Sequence, residues 1–272
     1  MGTGTGHTEH SGRETRSRPV AVVTGASSGL GVEFARALAR TGHDLVLVAR
    51  TEERLAHLAG ELEKNHGAKS KVLVADLRQS GDVDKVADRI RSGGVATVIN
   101  NAGFGTNGEF ARLPLDGEIA EVQVNTLAVV VLSHAALEVM VPRRSGRLLN
   151  VASVGGFTPA PTWATYSATK AFVLTFTEAI HIEAEPHGVH VTVLAPGFTR
   201  TEFQERAGMR GGGPPGFMWS DAAPVVDAAL AALDKNQAVC VPGGLNKAAV
   251  LTTRLLPKPI FRRVAAQATR HM

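Results

Sequence analysis

Residues 24–31 read TGASSGLG, three glycines set between the β-branched run VAVVTG at 20–25 and an amphipathic stretch at 30–41. A buried strand that ends in glycine and feeds directly into a helix is the opening of a β-α-β unit. The pattern then repeats. DLVLVA at 44–49, KVLVA at 71–75, ATVIN at 96–100, RLLNV at 147–151 and HVTVLA at 190–195 are continuous Val/Leu/Ile runs, and AVCV at 238–241 is a shorter seventh. Amphipathic stretches at 52–65, 82–91, 117–141, 164–185 and 221–233 separate them. Continuous apolar strands suit a sheet buried on both faces. The expected fold is therefore α/β, a single doubly wound Rossmann-type domain with a parallel seven-stranded sheet and helices on both faces. No stretch resembles a domain linker before the Gly/Pro-rich 208–216.

The glycine turn also has a chemical reading. Gly25 makes the tight turn, and Gly29 and Gly31 allow backbone and helix to come close to a ligand. The N–H groups at the helix start suit a pyrophosphate, with Ser27, Ser28 and Leu30 flanking it. After the second strand, where an NAD-binding chain usually carries an acid for the ribose hydroxyls, this one has Ala49 and Arg50. A guanidinium pairs with a 2′-phosphate, so the expected cofactor is NADP(H). Asp76, after the third strand, is placed to meet the adenine edge.

Composition bounds the rest. The 272 residues are 44% hydrophobic and 20% charged, an ordinary globular balance. Cys240 is the single cysteine, which excludes an intrachain disulfide and fits a reducing compartment. Residues 1–18 have no apolar run, so they read as a disordered tail and not as a secretory signal. His7 and His10 sit in that tail without a scaffold, and no metal is expected. No uninterrupted apolar stretch is long enough to span a bilayer, and a cytoplasmic placement follows. From Lys235 to Met272 there are seven basic residues and no acidic one, which leaves the remainder at −3 against a net +4. The basic end has no interleaved aromatics, so no nucleic-acid partner is expected.

In order, the chain carries TGASSGLG at 24–31, Asp76-Leu77, NNAG at 100–103, Asn125, Ser153, Tyr166 and Lys170 in YSATK, and PGFTRT at 196–201. Tyr166 is the only tyrosine and lies 13 positions after Ser153. Together these resemble the short-chain dehydrogenase/reductase family over residues 19–245, leaving 246–272 as a basic C-terminal extension. LVLVARTEERL at 45–55 and that basic, Pro-interrupted end are similar to a bacterial branch of NADP-dependent oxidoreductases.

The tyrosine has a physical role in that setting. Carbonyl reduction needs a hydride and a proton. A phenol near pKa 10 exchanges protons poorly at neutral pH, and an ammonium one helical turn away is expected to lower it. Tyr166 is then general acid in reduction and base in oxidation. Ser153, just past the fifth strand, orients the substrate carbonyl. The resemblance implies that Lys170 binds the nicotinamide ribose and that Asn125, inside a long helix, holds a water linking the lysine to solvent. It also implies that Asn101, Ala102 and Gly103 let the cofactor approach. Pro196, Gly197, Thr199 and Thr201 would meet the carboxamide side. Two functional classes stay open, a reductase and a cofactor-binding sensor or scaffold with little turnover.

The segment 198–220 combines Gly/Pro hinges with Phe203, Met209, Phe217, Met218 and Trp219, and reads as an apolar lid. Phe157, Pro159, Pro161 and Trp163 would form the facing wall, for a hydrophobic ketone or aldehyde and its alcohol. Residues 247–270 alternate apolar and basic positions, suiting a neighbouring subunit or peripheral contact with a membrane. A homodimer or homotetramer through 117–141 and 164–185 is expected, with Ala128, Ala168 and Ala171 allowing close approach.

Overall fold

The computed structural model describes residues 18–203, 207–208 and 215–255. Most of the N-terminal tail, Met209 of the lid and the basic residues from 256 onward lie outside the described residues. The seven strands are β1 (Val20–Thr24), β2 (Asp44–Ala49), β3 (Ser70–Val74), β4 (Val95–Asn100), β5 (Gly146–Val151), β6 (Val189–Leu194) and β7 (Val239–Cys240). They form one parallel sheet in the order β3-β2-β1-β4-β5-β6-β7. The chain runs outward from β1 to β3, then returns across it to β4. The strand order reverses between β1 and β4, and that reversal opens a crevice at the carboxyl ends of the strands.

Period-two alternation sends each strand's side chains to two cores. Ala21, Val23, Leu45, Leu47, Leu149 and Leu194 face one side. Helices α1 (Gly29–Arg40), α2 (Glu52–His66) and α7 (Ala222–Asp234) cover it with Phe34, Leu38, Leu55, Leu62 and Val226. Val22, Val46, Val98, Leu148 and Val191 face the other side, under α3 (Ser80–Arg91), α5 (Ala128–Arg143) and α6 (Ala164–Ala184), where Ile90, Leu132, Met140 and Ile180 pack. Both faces of the sheet are covered by helices, which is why the strands read as unbroken apolar runs. Edge strand β3 is only partly buried.

The stretch expected as one helix at 117–141 is built differently. Helix α4 (Leu115–Val122) passes through a π-helical turn, Gln123–Leu127, into α5, and Ala128 N–H closes that turn on Gln123 O. One extra residue in a turn widens the helix locally, a feature frequent at functional sites. Asn125 sits in the middle of it. The continuous helical span Leu115–Arg143 is long and apolar enough, with mean hydropathy 1.8, to cross a membrane by length and composition. This corrects the expectation that no such stretch exists. In this fold 56% of that apolar window is buried within the protein.

Helix α8 (Gly244–Leu255) starts one residue before 245 and packs on the turn after β5, so residues on both sides of 245 share one element.

Candidate active site

The carboxyl ends of the strands open into one cleft of about 1310 Å³. Its floor is the glycine turn. Gly25 (φ 67°) and Gly29 (φ 54°) are left-handed. A Cβ on Gly25 would lie 2.9 Å from Ala102 Cα, and one on Gly31 would lie 2.1 Å from Gly25 O. Gly31 is therefore a packing residue beneath the turn, while Gly25, Ser27, Ser28, Gly29 and Leu30 line the cleft. Thr24 Oγ1 accepts from Asn101 N–H and Ala102 N–H, both at 3.0 Å, and Asn101 Nδ2 donates to Thr24 O at 2.9 Å. The ends of β1 and β4 are thus tied together where the crevice opens. Asn101, Ala102 and Gly103 border it, whereas Asn100 is buried below and donates to Asn150 Oδ1 at 2.9 Å.

At the far end Arg50, Asp76 and Leu77 line the cleft as expected. Two arginines not anticipated join them, Arg54 from α2 and Arg78. Arg78 Nε donates to both oxygens of Asp76 at 2.9 Å, and this pairing, aided by the charge of Arg50, holds the Asp76 carboxyl below its usual range. The acid is therefore matched by cations instead of opposing an incoming phosphate. Arg54 pairs with Glu202 at 3.0 Å, tying the lid segment to α2.

In the middle of the cleft stand Ser153, Tyr166 and Lys170. Ser153 caps the 3₁₀ turn Val154–Phe157, its Oγ accepting from Gly155 N–H at 3.1 Å, and it hydrogen-bonds the Tyr166 hydroxyl. Lys170 is buried, 5.8 Å from the Tyr166 ring centroid, and donates to Val151 O at 2.9 Å. Burial lowers its ammonium to about 8, opposed by the charge of Glu121.

Burial pushes the Tyr166 phenol up to about 12; the Ser153 hydrogen bond works against this and the Glu121 charge adds to it. The expected lowering is thus absent from the protein alone. The ammonium lies over the ring and is aimed at a backbone carbonyl, not at the phenolic oxygen. A phenol held neutral is in the protonation state that carbonyl reduction requires.

Asn125 is fully buried below the cleft and does not line it. Its Nδ2 donates to Phe104 O at 2.9 Å and to Thr169 Oγ1 at 3.1 Å, and its Oδ1 accepts from Phe104 N–H at 3.2 Å. The amide is a strut between the loop after β4 and α6. A Cβ on Gly103 would meet Asn125 Oδ1 at 3.0 Å and Lys170 Nζ at 3.2 Å, so the two side chains converge there.

Pro196, Gly197, Thr199 and Thr201 border the cleft opposite β4. Thr201 bends back over the glycine turn, 3.1 Å from a Cβ placed on Gly29. Phe203 packs on Tyr166, centroids 5.4 Å apart, and stacks on Trp163 at 6.5 Å. Phe157 and Trp163 line the wall as expected, but Pro159 and Pro161 are exposed outside it. Phe217 and Met218 also face outward, on the 3₁₀ turn Gly216–Met218, and Trp219 packs on Phe198. Their places are taken by Ala249, Val250 and Thr253 of α8, a wall the sequence reading assigned to an extension.

A profile described as short chain dehydrogenase matches residues 19–210. The chain belongs to the short-chain dehydrogenase/reductase family, oxidoreductases that act on the CH–OH/C=O pair with a nicotinamide cofactor. A very-long-chain 3-oxoacyl-CoA reductase of Phaeosphaeria nodorum is 38% identical over 63% of this chain and 52% of its own length. Rat 17-beta-hydroxysteroid dehydrogenase type 3 is 35% identical over 65% of this chain and 58% of its own. This chain spans little more than half the length of those two relatives. A short-chain dehydrogenase from Sphingobium yanoikuyae, solved in complex with NADPH, superposes with a TM-score of 0.80 at 35% identity, covering 88% of this chain and 96% of that one.

The similarity overturns one expectation. The relatives are named as very-long-chain 3-oxoacyl-CoA reductases and a hydroxysteroid dehydrogenase, and this short-chain dehydrogenase itself carries the apolar span Leu115–Arg143, so the cytoplasmic placement is withdrawn.

Proposed function

We propose that this chain is an NADP(H)-dependent reductase of bulky hydrophobic ketones, with 3-oxoacyl thioesters and steroid-like ketones as the substrate classes to try first. The observation that carries the reading is the single cleft itself. It joins the glycine turn and Arg50 at one end to Ser153, Tyr166 and Lys170 at the middle, under an aromatic wall of Phe157, Trp163 and Phe203. The acyl-CoA and hydroxysteroid names of the relatives support a large apolar substrate.

NADPH, when bound, supplies a hydride. The chain's own residues do the remainder. The positive-φ glycines and Arg50, with Arg54 and Arg78 nearby, suit a phosphorylated dinucleotide. Ser153 donates to the carbonyl oxygen and orients it, and Tyr166 delivers the proton to the developing alkoxide. Phe203 and Trp163 exclude water from the phenol and favour an apolar substituent. The testing experiment follows NADPH oxidation against hydrophobic ketones, aldehydes, 3-oxoacyl thioesters and small polar sugars. Turnover confined to the sugars would refute the apolar-pocket reading.

Cofactor choice is tested at Arg50. A charge-assisted hydrogen bond is worth about 1.5–3 kcal/mol, so Arg50→Ala should lower the preference for NADPH over NADH by roughly tenfold or more. Titration of both nucleotides by fluorescence checks this, and an unchanged ratio would remove Arg50 from the phosphate site.

Self-association through α5 and α6 is part of the same reading. Leu127, Phe172 and Ile182 are exposed, Ile182 by 69%. Ala168 is exposed beside Phe172, whereas Ala128 is buried in the core and does not face a partner. Light scattering should give a dimer or tetramer mass, and Ile182→Glu should reduce it to that of a monomer.

A further inference from the structure

Two acids that the mechanism above leaves unused lie on α4, which packs against the helix that carries Lys170. Glu118 and Glu121, one turn apart on α4, are 5% and 0% exposed. Both are hydrogen-bonded to a single hydroxyl, with Thr106 Oγ1 2.5 Å from Glu118 Oε1 and 2.9 Å from Glu121 Oε2. Thr106 N–H also donates to Glu121 Oε2 at 3.0 Å, and the Thr165 hydroxyl donates to Glu118 Oε2. Glu121 Oε1 is buried with no hydrogen-bond partner.

The proton count is decisive. A threonine hydroxyl has one hydrogen. It donates to one carboxylate, and its contact with the second is a hydrogen bond only if that second carboxyl donates a proton back to it. Two ionised carboxylates this close would also repel each other without solvent screening. The geometry therefore calls for one proton on the pair. Burial raises Glu121 to about 7; its Thr106 hydrogen bonds oppose this, the Glu118 charge adds to it and the Lys170 charge opposes it. The groups that face it are Glu118 on its own helix and Lys170 and Tyr166 on α6, and Glu121 acts electrostatically on both of the latter.

We propose that the Glu118–Glu121 pair is an internal proton store that recharges Tyr166 through Lys170 during carbonyl reduction, with Glu121 the positioning residue of the store. The inference rests on the reductase reading above. In each turnover the carbonyl carbon takes the hydride and its oxygen takes the Tyr166 proton. The phenolate regains a proton from the Lys170 ammonium, relayed by water. The Lys170 amine then takes the proton of the carboxyl pair, whose O–H bond breaks to leave two carboxylates. Bulk water refills the pair. A carboxyl that burial raises to about 7, acting electrostatically on an ammonium lowered to about 8, is well matched for that exchange.

The test uses the full chain and two readouts. Infrared spectroscopy from pH 5 to 9 should show a protonated-carboxyl C=O band that disappears with a midpoint near neutral in the wild type and is missing in Glu121→Gln. The kcat for reduction should fall as pH rises through that same midpoint, because the donating form is the protonated one. In Glu121→Gln this limb should vanish and kcat should drop by about 10–100-fold with the ketone KM nearly unchanged. Glu121→Asp should restore part of the limb. If Glu121→Gln fails to fold, Thr106→Ala, which removes the shared hydroxyl, takes its place. Absence of the band, or a Glu121→Gln profile identical to the wild type, would overturn the store. The infrared readout needs no turnover, so a wild type inactive on every ketone would count against the reductase reading alone.

Discussion

Tyr166→Phe should lower NADPH-dependent ketone reduction by about 10²–10⁴-fold while leaving NADPH affinity within a few-fold of the wild type. The ring is held by Trp163 and Phe203 at centroid distances of 5.5 and 5.4 Å, and phenylalanine keeps both contacts. What it loses is the one acidic hydrogen beside Ser153. Burial already holds this phenol in its neutral form, so the substitution removes a proton donor without altering local charge. Single-turnover measurement of nicotinamide oxidation, with NADPH binding followed separately by fluorescence, distinguishes lost chemistry from lost affinity. Near wild-type turnover would exclude Tyr166 as the acid.

Gly31→Ala should be the most damaging added methyl group among the described glycines. Its Cβ would sit 2.1 Å from Gly25 O, 2.7 Å from Gly25 C and 2.8 Å from Asn101 Nδ2. Two of those atoms are backbone of the very turn that faces the phosphates, and the third ties β4 to β1. Nothing there yields cheaply. Overpacking of this kind costs about 1–3 kcal/mol, or a Tm loss of roughly 2–12 °C for a domain this size. The shifted turn should also weaken NADPH by at least about tenfold. Gly60→Ala is the control, since nothing lies within 4 Å of its Cβ and a helix interior gains about 0.5–1 kcal/mol from alanine. Calorimetry and nucleotide titration on both variants check the pair. Intact NADPH affinity in Gly31→Ala would show that the turn tolerates displacement.

The strands were legible because both faces of the sheet are buried, so each strand is an uninterrupted apolar run and glycine marks the end of β1. The residues along the cleft were legible because their types and order are specific. The rest depended on tertiary context. Glu118 and Glu121 read as polar positions of an amphipathic helix, and only the packing of α4 against α6 and the loop at Thr106 shows that they face inward. The π-helical turn at Asn125 leaves no periodic signature over five residues. Pro159 and Pro161 look like wall residues by composition, but the turn that carries them points outward. Helix α8 was hidden by the basic character of the segment that follows it. The phenol was expected to be acidified by its lysine, but burial and the Glu121 charge raise it while the Lys170 ammonium donates to Val151 O.

Gly197 has room for no side chain because Asn246 of α8 occupies the space, with Oδ1 2.4 Å from where a Cβ would stand. That contact has a consequence for how the protein is made. A ribosome that has delivered all seven strands has still not produced the wall formed by Ala249, Val250 and Thr253. The nucleotide crevice is therefore finished only after the whole sheet has been made, and a nascent chain gains this binding wall only once α8 has followed β7 out of the ribosome.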